Sequence, residues 1–399
     1  MTLSADPRGP IARRADIAVI GGGIVGSAIA YFLSREGRGG RVVVIEPDPT
    51  YEHAATPAAN GGIRQLFSLP ENIEMARFGL DFYADFHREM AVDETPADIG
   101  FRRRGYLFLS DDGDHATMAA NHRLQAAMGA RVDLLDRQAL SARFPSLNVS
   151  DIAVGVHSPD DAWINPHAAL MGFRDKARAQ GVTYIQDRVV GWHQDRGLAR
   201  EVELASGQVL AADCFVLAAG AWSAEIGSMI GLALPVEPMC RESHYFVTRA
   251  DVEPLPFIKT ETHLAFGPEG QGYAGGLPDW DQPAGFQLNP DPTRFEAVVW
   301  PRLAHRLPAL ETLKLQRTWV GHYARNSFDL NAILGSWQSG ATNVYMACGF
   351  SGHGIMHAPA SGRAIAELIL DGGHRSLDLA AFGHGRIVND RPYRETGIV

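Results

Sequence analysis

The segment Asp16-Ile-Ala-Val-Ile-Gly-Gly-Gly-Ile-Val-Gly26 leaves this chain few ways to fold. Asp16 to Ile20 is apolar, β-branched and stops abruptly on glycine, as a buried strand does. Ile24 to Arg35 carries a helical pattern, Gly37 to Gly40 ends it, and Arg41 to Glu46 reads as a second buried strand. The result is a β-α-β unit with Gly21-x-Gly23-x-x-Gly26 in its first turn. Glycines there let the backbone turn tightly and approach a pyrophosphate with no Cβ in the way. Ile24 and Val25 open the helix, whose unpaired N–H groups and positive dipole end favour phosphate. Glu46 closes the second strand, where a carboxylate accepts hydrogen bonds from ribose hydroxyls. The glycines alone are a weak signal. Strand, turn, helix, strand and acid in this order point to a bound dinucleotide.

At 399 residues the chain is long enough for two domains. Its net charge of -10 argues against nucleic acid as a partner, since phosphate backbones need a basic face. Cys214, Cys240 and Cys348 are odd in number and form no C-x-x-C, so no disulfide scaffold or zinc site is expected. A reducing, cytoplasmic setting fits that usage. The histidines include no H-E-x-x-H or clustered metal spacing, and no metal is expected. Ser351 lies outside any G-x-S-x-G elbow, which argues against a hydrolase. Ile17 to Leu33 is uncharged and follows Arg13 and Arg14, the outline of a short membrane span or twin-arginine leader. Its length sits at the lower spanning limit and glycines interrupt it, so no integral membrane segment is expected.

Residues 1 to 14 read as a polar arm and Thr50 to Gly62 as a loop. Helices are expected over residues around Ile73 to Tyr83, over His115 to Met128 and over Pro166 to Gln180, with a strand over Phe101 to Ser110. Past Pro235 short strands alternate with Pro- and Gly-rich turns, the pattern of a mostly antiparallel sheet. After Val344 the chain returns to strand, glycine turn and helix. The fold class is therefore α/β with α+β character. A Rossmann-like cofactor domain is expected from residues 15–90, 145–235 and 325–385, and a substrate domain from 91–144 and 236–324. Two later turns favour FAD over NAD. Val216 to Ser223 runs a strand into the small turn Ala219-Gly220-Ala221-Trp222, and Gly349-Phe-Ser-Gly-His-Gly354 opens a helix near the C-terminus. Small residues and free N–H groups suit the carbonyl edge of a planar, electron-accepting ring.

These three elements in order resemble the D-amino-acid oxidase and sarcosine oxidase superfamily of FAD enzymes. A closer resemblance is to the FAD-dependent oxidoreductase family whose mitochondrial member is associated with respiratory complex I assembly. It is carried by Gly61-Gly62-Ile63, Phe67-Ser-Leu-Pro-Glu-Asn-Ile73, Ala219 to Ala224, Leu234 to Pro238, Glu311 to Lys314 and Gly349 to Gly354. The resemblance implies oxidation of an amine C–N bond in an amino acid, with hydride passing to flavin N5 and the imine then hydrolysing. It assigns Gly21, Gly23, Gly26 and Glu46 to phosphate and ribose, and Val189 to the adenine. Gly61 and Gly62 lead to Arg64, which matches an arginine beside the flavin. Gly352, His353 and Gly354, continued by Ile355 and Met356, match the loop at its pyrimidine side.

The departures concern substrate and acceptor. Phe67 and Met356 stand where sarcosine oxidases have a carboxylate-binding arginine and lysine. Tyr273 stands near the lysine that activates oxygen, so a dehydrogenase is expected rather than an oxidase. His322 stands near the cysteine that bonds to flavin, so non-covalent FAD is expected, with a histidyl link as the alternative. His322, Tyr323 and Arg325 are the expected substrate-facing groups, Arg325 as a replacement carboxylate anchor. Three readings stand at this point: an FAD-dependent amine or amino-acid oxidoreductase, a flavoprotein serving as an assembly or interaction factor, and an NAD-linked dehydrogenase. Substrate identity, electron acceptor and oligomeric state are not encoded in these patterns.

Overall fold

The computed structural model describes residues 14–398, so the expected N-terminal arm lies almost wholly outside the described residues. β1 (Arg14–Ile20) and β2 (Val42–Glu46) pair in parallel around α1 (Ile24–Ser34), close to the expected limits. Alternation along β1 explains why it sits in the middle of a sheet. Ile17 and Val19 point into one apolar core and Ala18 and Ile20 into another, so both faces are covered. The strand Val209–Leu217 flanks β1 in parallel on its other side, and the late strand Val344–Cys348 pairs in parallel with its last residues. An eight-stranded sheet is thus assembled from distant segments of the chain. The turns after Ile20, Glu46, Leu217 and Cys348 all fall at the same edge, the carboxyl ends of parallel strands where such sheets bind ligands.

α1 and the helix Gly354–Asp371 cross in close contact on one face of this sheet. A Cβ at Gly362 would lie 2.8 Å from the Ala28 carbonyl carbon, so glycine lets the two backbones touch. That contact brings the start of the second helix, and the glycine turn before it, to the same sheet edge as the first turn.

The second eight-stranded sheet runs in the order Lys314–Asn326, Val236–Val247, Gly272–Gly276, Ala265–Glu269, Phe257–Thr260, Tyr106–Ser110, Val154–Ser158 and Asp133–Asp136. It is antiparallel except where Phe257–Thr260 runs parallel to Tyr106–Ser110. Val154–Ser158 lies within the 145–235 stretch expected to join the first sheet, but pairs into the second. A five-residue apolar run does not say which sheet it will join. One face of this sheet packs on Phe295, Leu303 and Leu307 through Phe246, Ile258 and Phe266. The opposite face carries Tyr106, Phe108, Lys259, Arg241 and Tyr323, by the alternation of each strand. Among the described residues no helix is long and apolar enough to cross a membrane.

Candidate active site

A cavity of about 440 Å³ opens where the edge of the first sheet meets that second face. Its floor is built largely from glycines. Gly21 has φ of +102°, and a Cβ there would lie 2.4 Å from the Ala218 carbonyl oxygen. At Gly26 a Cβ would lie 1.9 Å from the Gly21 oxygen, so Gly26 serves close packing behind the cavity wall. At Gly23 it would meet only Thr56 Oγ1, at 3.9 Å, which leaves the space before α1 open on the ligand side. Gly23 has no side chain with which to cap α1; Thr56 Oγ1 accepts from the Ile24 N–H at 3.4 Å, and the N–H groups that follow it at the helix start have no side-chain acceptor. Ile24 and Val25 line that space as well.

Glu46 borders the cavity and accepts hydrogen bonds from the N–H of Gly22 at 2.8 Å and of Asp48 at 3.0 Å. Burial raises its carboxyl above the usual range, against the opposing pull of those two bonds. Val189, Ala219, Gly220, Trp222, Gly352, Gly354 and Ile355 line the cavity as well. The open turn at Gly23 and the uncapped N–H groups fit a pyrophosphate, and the remaining length fits an extended dinucleotide.

The roof comes from side chains. Tyr323 presses so closely on Gly352 that a Cβ there would lie 2.7 Å from its ring. His322 Nε2 accepts a hydrogen bond from the Gln287 N–H at 3.0 Å, which leaves the proton on Nδ1, and burial lowers its pKa. Phe286 stacks on Trp222 with ring centres 4.7 Å apart and lies 5.1 Å from His322, so residues around it cover this end.

Arg64 is 2% exposed and donates to the Leu66 carbonyl, with its guanidinium 4.0 Å over the Phe67 ring. Its Nη2 is 3.0 Å from His353 Nε2. Burial first, then the Arg64 charge, hold His353 neutral, and a neutral ring accepting at Nε2 carries its proton on Nδ1. The buried acid Asp161 bonds through Oδ1 to the Gln65 N–H and side-chain amide, and burial pushes its pKa up to about 7.

The family model for FAD dependent oxidoreductases described as DAO matches residues 16–368. This chain belongs to that family. FAD-dependent oxidoreductase domain-containing protein 1 of Xenopus laevis is 35% identical, over 97% of this chain and 85% of its own length. Among solved structures, L-proline dehydrogenase from P. horikoshii superposes with a TM-score of 0.84 at 27% identity, covering 96% of this chain and all of that one. Glycine oxidase from Geobacillus kaustophilus shares the fold, with a TM-score of 0.81 at 21% identity and coverage of 93% and 98%. The cofactor of this DAO-family chain is FAD, and the NAD-linked reading falls.

Several expected residues are placed elsewhere. Arg325 is engaged: its Nε donates to Glu237 Oε1 at 2.8 Å and its Nη1 to the Trp280 carbonyl at 2.9 Å. It does not border the cavity, and Glu237 already answers its charge. Tyr273 lies on the far face of the sheet, stacked on Phe246 at 6.2 Å. Met356 is packed in the main core. Gly61 and Gly62 make room for neighbours, since Cβ atoms would lie 2.1 Å from the Ile164 oxygen and 2.2 Å from the Tyr106 hydroxyl. None of the three cysteines is among the lining residues, which fits non-covalent FAD.

Two cations went unforeseen. Arg241 borders the cavity, and Lys259 lies on the same face of the sheet, where burial followed by Arg64 and Arg241 holds its ammonium well below the usual lysine range. Lys259 lies in a strand of four residues and Arg241 in one of twelve, and pairing fixes which way each faces. The Phe67 to Ile73 string proves to be a clasp for the C-terminal segment. Glu395 accepts hydrogen bonds from the Ser68 hydroxyl and Asn72 Nδ2, while Phe67 packs beside His353 and His357.

Proposed function

We propose that this chain oxidises the C–N bond of an amino acid or secondary amine at an FAD-dependent site. The observation that carries the reading is the meeting of a glycine-built cofactor floor with a roof presenting Arg241, His322 and Tyr323, with the Arg64–His353 pair at the start of the late helix. Bound FAD supplies the two-electron acceptor for a hydride leaving carbon. The protein's own share is to hold the amine, exclude water and keep charge of the right sign nearby. Arg64 and His353 sit at the helix start expected beside the flavin, where a fixed positive charge opposes the negative charge a reduced ring gains. The likeness to a structure titled L-proline dehydrogenase, at more than a quarter identity, supports a secondary amino acid as one substrate class.

The test is anaerobic mixing of the FAD-loaded protein with a panel of D-, N-methyl and cyclic secondary amino acids, following the flavin absorbance. Bleaching by at least one of them is expected. Failure of all of them to bleach it sinks the reading. The preference for a dehydrogenase rests on a neutral roof at Tyr273, and with that ring on the far face and Lys259 on the near one, the support falls away. Reoxidation of the reduced protein by air, against reoxidation by a quinone or dye, decides the acceptor. An assembly or interaction role would instead survive the loss of Arg64 or His353.

A further inference from the structure

Arg64 and Phe67 lie in the short connection between the two-residue strand Gly62–Ile63 and the helix Pro70–Ala84. Local hydrogen bonding does little to fix this stretch. The Phe67 N–H turns back to the Gln65 carbonyl at 2.8 Å, and Leu69, at the N-cap of the helix, has no side chain that can cap it. The hold comes from Glu395, 327 positions after Ser68. One of its oxygens accepts from the Ser68 N–H and hydroxyl, and the other from Asn72 Nδ2 at 2.6 Å and the Leu69 N–H at 3.3 Å. The Thr396 N–H adds a bond to the Ser68 oxygen at 2.7 Å. The segment that carries Glu395 is anchored on both sides. Tyr393 donates its N–H to Asp329 Oδ2 at 3.1 Å and its hydroxyl to Glu71 Oε2 at 2.9 Å. Ile398 is buried with Leu66 and, from the second sheet, with Tyr106 and Phe108. Arg394, Thr396 and Gly397 are exposed, so the segment is pinned at three points.

What is pinned bears directly on the Arg64–His353 pair. Phe67, the residue before Ser68, lies under the Arg64 guanidinium at 4.0 Å and edge-on to His353 with ring centres 5.2 Å apart. Leu66, which Ile398 packs upon, supplies the carbonyl to which Arg64 donates. A guanidinium buried this deeply has little water to centre it, so that ring and that carbonyl decide where its charge lies. Burial lowers the Arg64 pKa, and Tyr106, Glu395 and Asp161, in that order, oppose the fall by their charge. Asp161 fixes the other flank of Arg64 through Gln65.

We propose that residues 393–398 brace the Arg64–His353 pair against the flavin, with Glu395 as the positioning residue that sets where the Arg64 charge lies. The proposal rests on that pair lying beside FAD, as in the proposed function, but on no substrate and no turnover. A positive charge held near the ring stabilises the negative charge that reduction brings, and so raises the midpoint potential of the flavin. The sign of the effect separates positioning from simple charge. Removing an acid makes its surroundings more positive and by itself raises the potential. Releasing Phe67 and Leu66 lets the guanidinium leave its place and lowers it.

The test measures the midpoint potential of FAD bound to the full chain, by equilibration with a reference dye. Glu395→Ala should keep FAD and lower the potential by about 30 mV, a tenfold change in the two-electron equilibrium. Glu395→Gln, which keeps an oxygen for Ser68, should recover most of that shift. In an Arg64→Met background, with no charge left to place, Glu395→Ala should lower the potential no further. An unchanged potential with reduced thermal stability would make Glu395 structural only and overturn the proposal. A raised potential, or an equal fall in the Arg64→Met background, overturns it as well. If Glu395→Ala loses FAD, Ser68→Ala and Ile398→Ala carry the test: a fall in either supports the brace, and no shift in both sinks it. An Arg64→Met protein with unchanged potential would take Arg64 away from the flavin, ending the proposal and that support for the proposed function together. A shift in Arg64→Met with none in Glu395→Ala ends the brace alone, and failure of every amine to bleach the flavin ends the oxidation reading alone.

Discussion

The two large sheets each supply one wall of the same cavity, by opposite means. The first sheet works by what it omits: bare turns at Gly21 and Gly23, and a helix start whose N-cap has no side chain to close it. The second works by what it presents, with Arg241, Lys259 and Tyr323 on one face and an apolar core on the other. A cofactor common to many enzymes is held by backbone, which any sequence of the right shape offers. The proposed substrate would be held by side chains, whose facing depends on strand pairing. Recognition of FAD and recognition of the substrate should therefore fail separately when each wall is damaged.

The largest effect is expected at the floor. Gly26→Val would put a Cβ against the Gly21 carbonyl oxygen at 1.9 Å, where backbone cannot yield cheaply. A loss of more than about 3 kcal/mol of stability is expected. Purified protein should be unfolded or colourless by its flavin-to-protein absorbance ratio, and a yellow, stable variant would break the floor half of the comparison.

Next is the roof. Arg64→Met removes the charge beside His353 while leaving the turns intact. FAD content should hold, and kcat/KM for the best amine should fall on the order of a hundredfold, as for loss of one preorganised electrostatic group. Loss of FAD instead would show that the two walls are not separable.

Asp161 sharpens the picture through pH. Its carboxyl is raised to about 7, above the ordinary 3.8, so the folded protein binds a proton there more tightly than the unfolded chain. Its contribution is favourable below about 4 and is lost progressively as pH rises through 7. Asp161→Asn keeps an acceptor for Gln65 without the charge. It should gain on the order of 2 kcal/mol at pH 8 relative to its effect at pH 5, read from denaturant midpoints. A pH-independent difference would show that the carboxyl is not held protonated.

The smallest effect belongs to the cover over the cavity. Phe286 is 42% exposed, yet stacked on Trp222. Phe286→Ala should cost no more than about 1 kcal/mol of stability while making bound flavin more accessible to an added quencher such as iodide. Unchanged quenching would mean that this ring does not shield the site.

How far the sequence reached follows from what each pattern encodes. The β1–α1–β2 unit was legible because an apolar run, a glycine break and a helical period are all local. The later turns at Gly220 and Gly352 were legible for the same reason, and both border the cavity. Arg325 and Tyr273 show where local reading stops. Arg325 was a good anchor by chemistry, but Glu237, directly across the sheet, took its charge. Tyr273 occupied the expected strand, but period-two alternation put it on the wrong face, since a shift of one residue exchanges every side chain. Lys259 was missed by the same rule, lying in a four-residue strand with no signal of its facing.

By itself, then, the sequence made the nucleotide fold and its cofactor legible, because the glycine turns at Gly21 to Gly26, at Gly220 and at Gly349 to Gly354 are backbone features that neighbours in the chain set. The tertiary structure alone decided which side chains gather around the cavity. Arg241 and Lys259 come from separate strands, and only the register between strands puts them on one face of the second sheet. Register is fixed by the packing of whole faces against distant elements, and no short stretch of residues contains it.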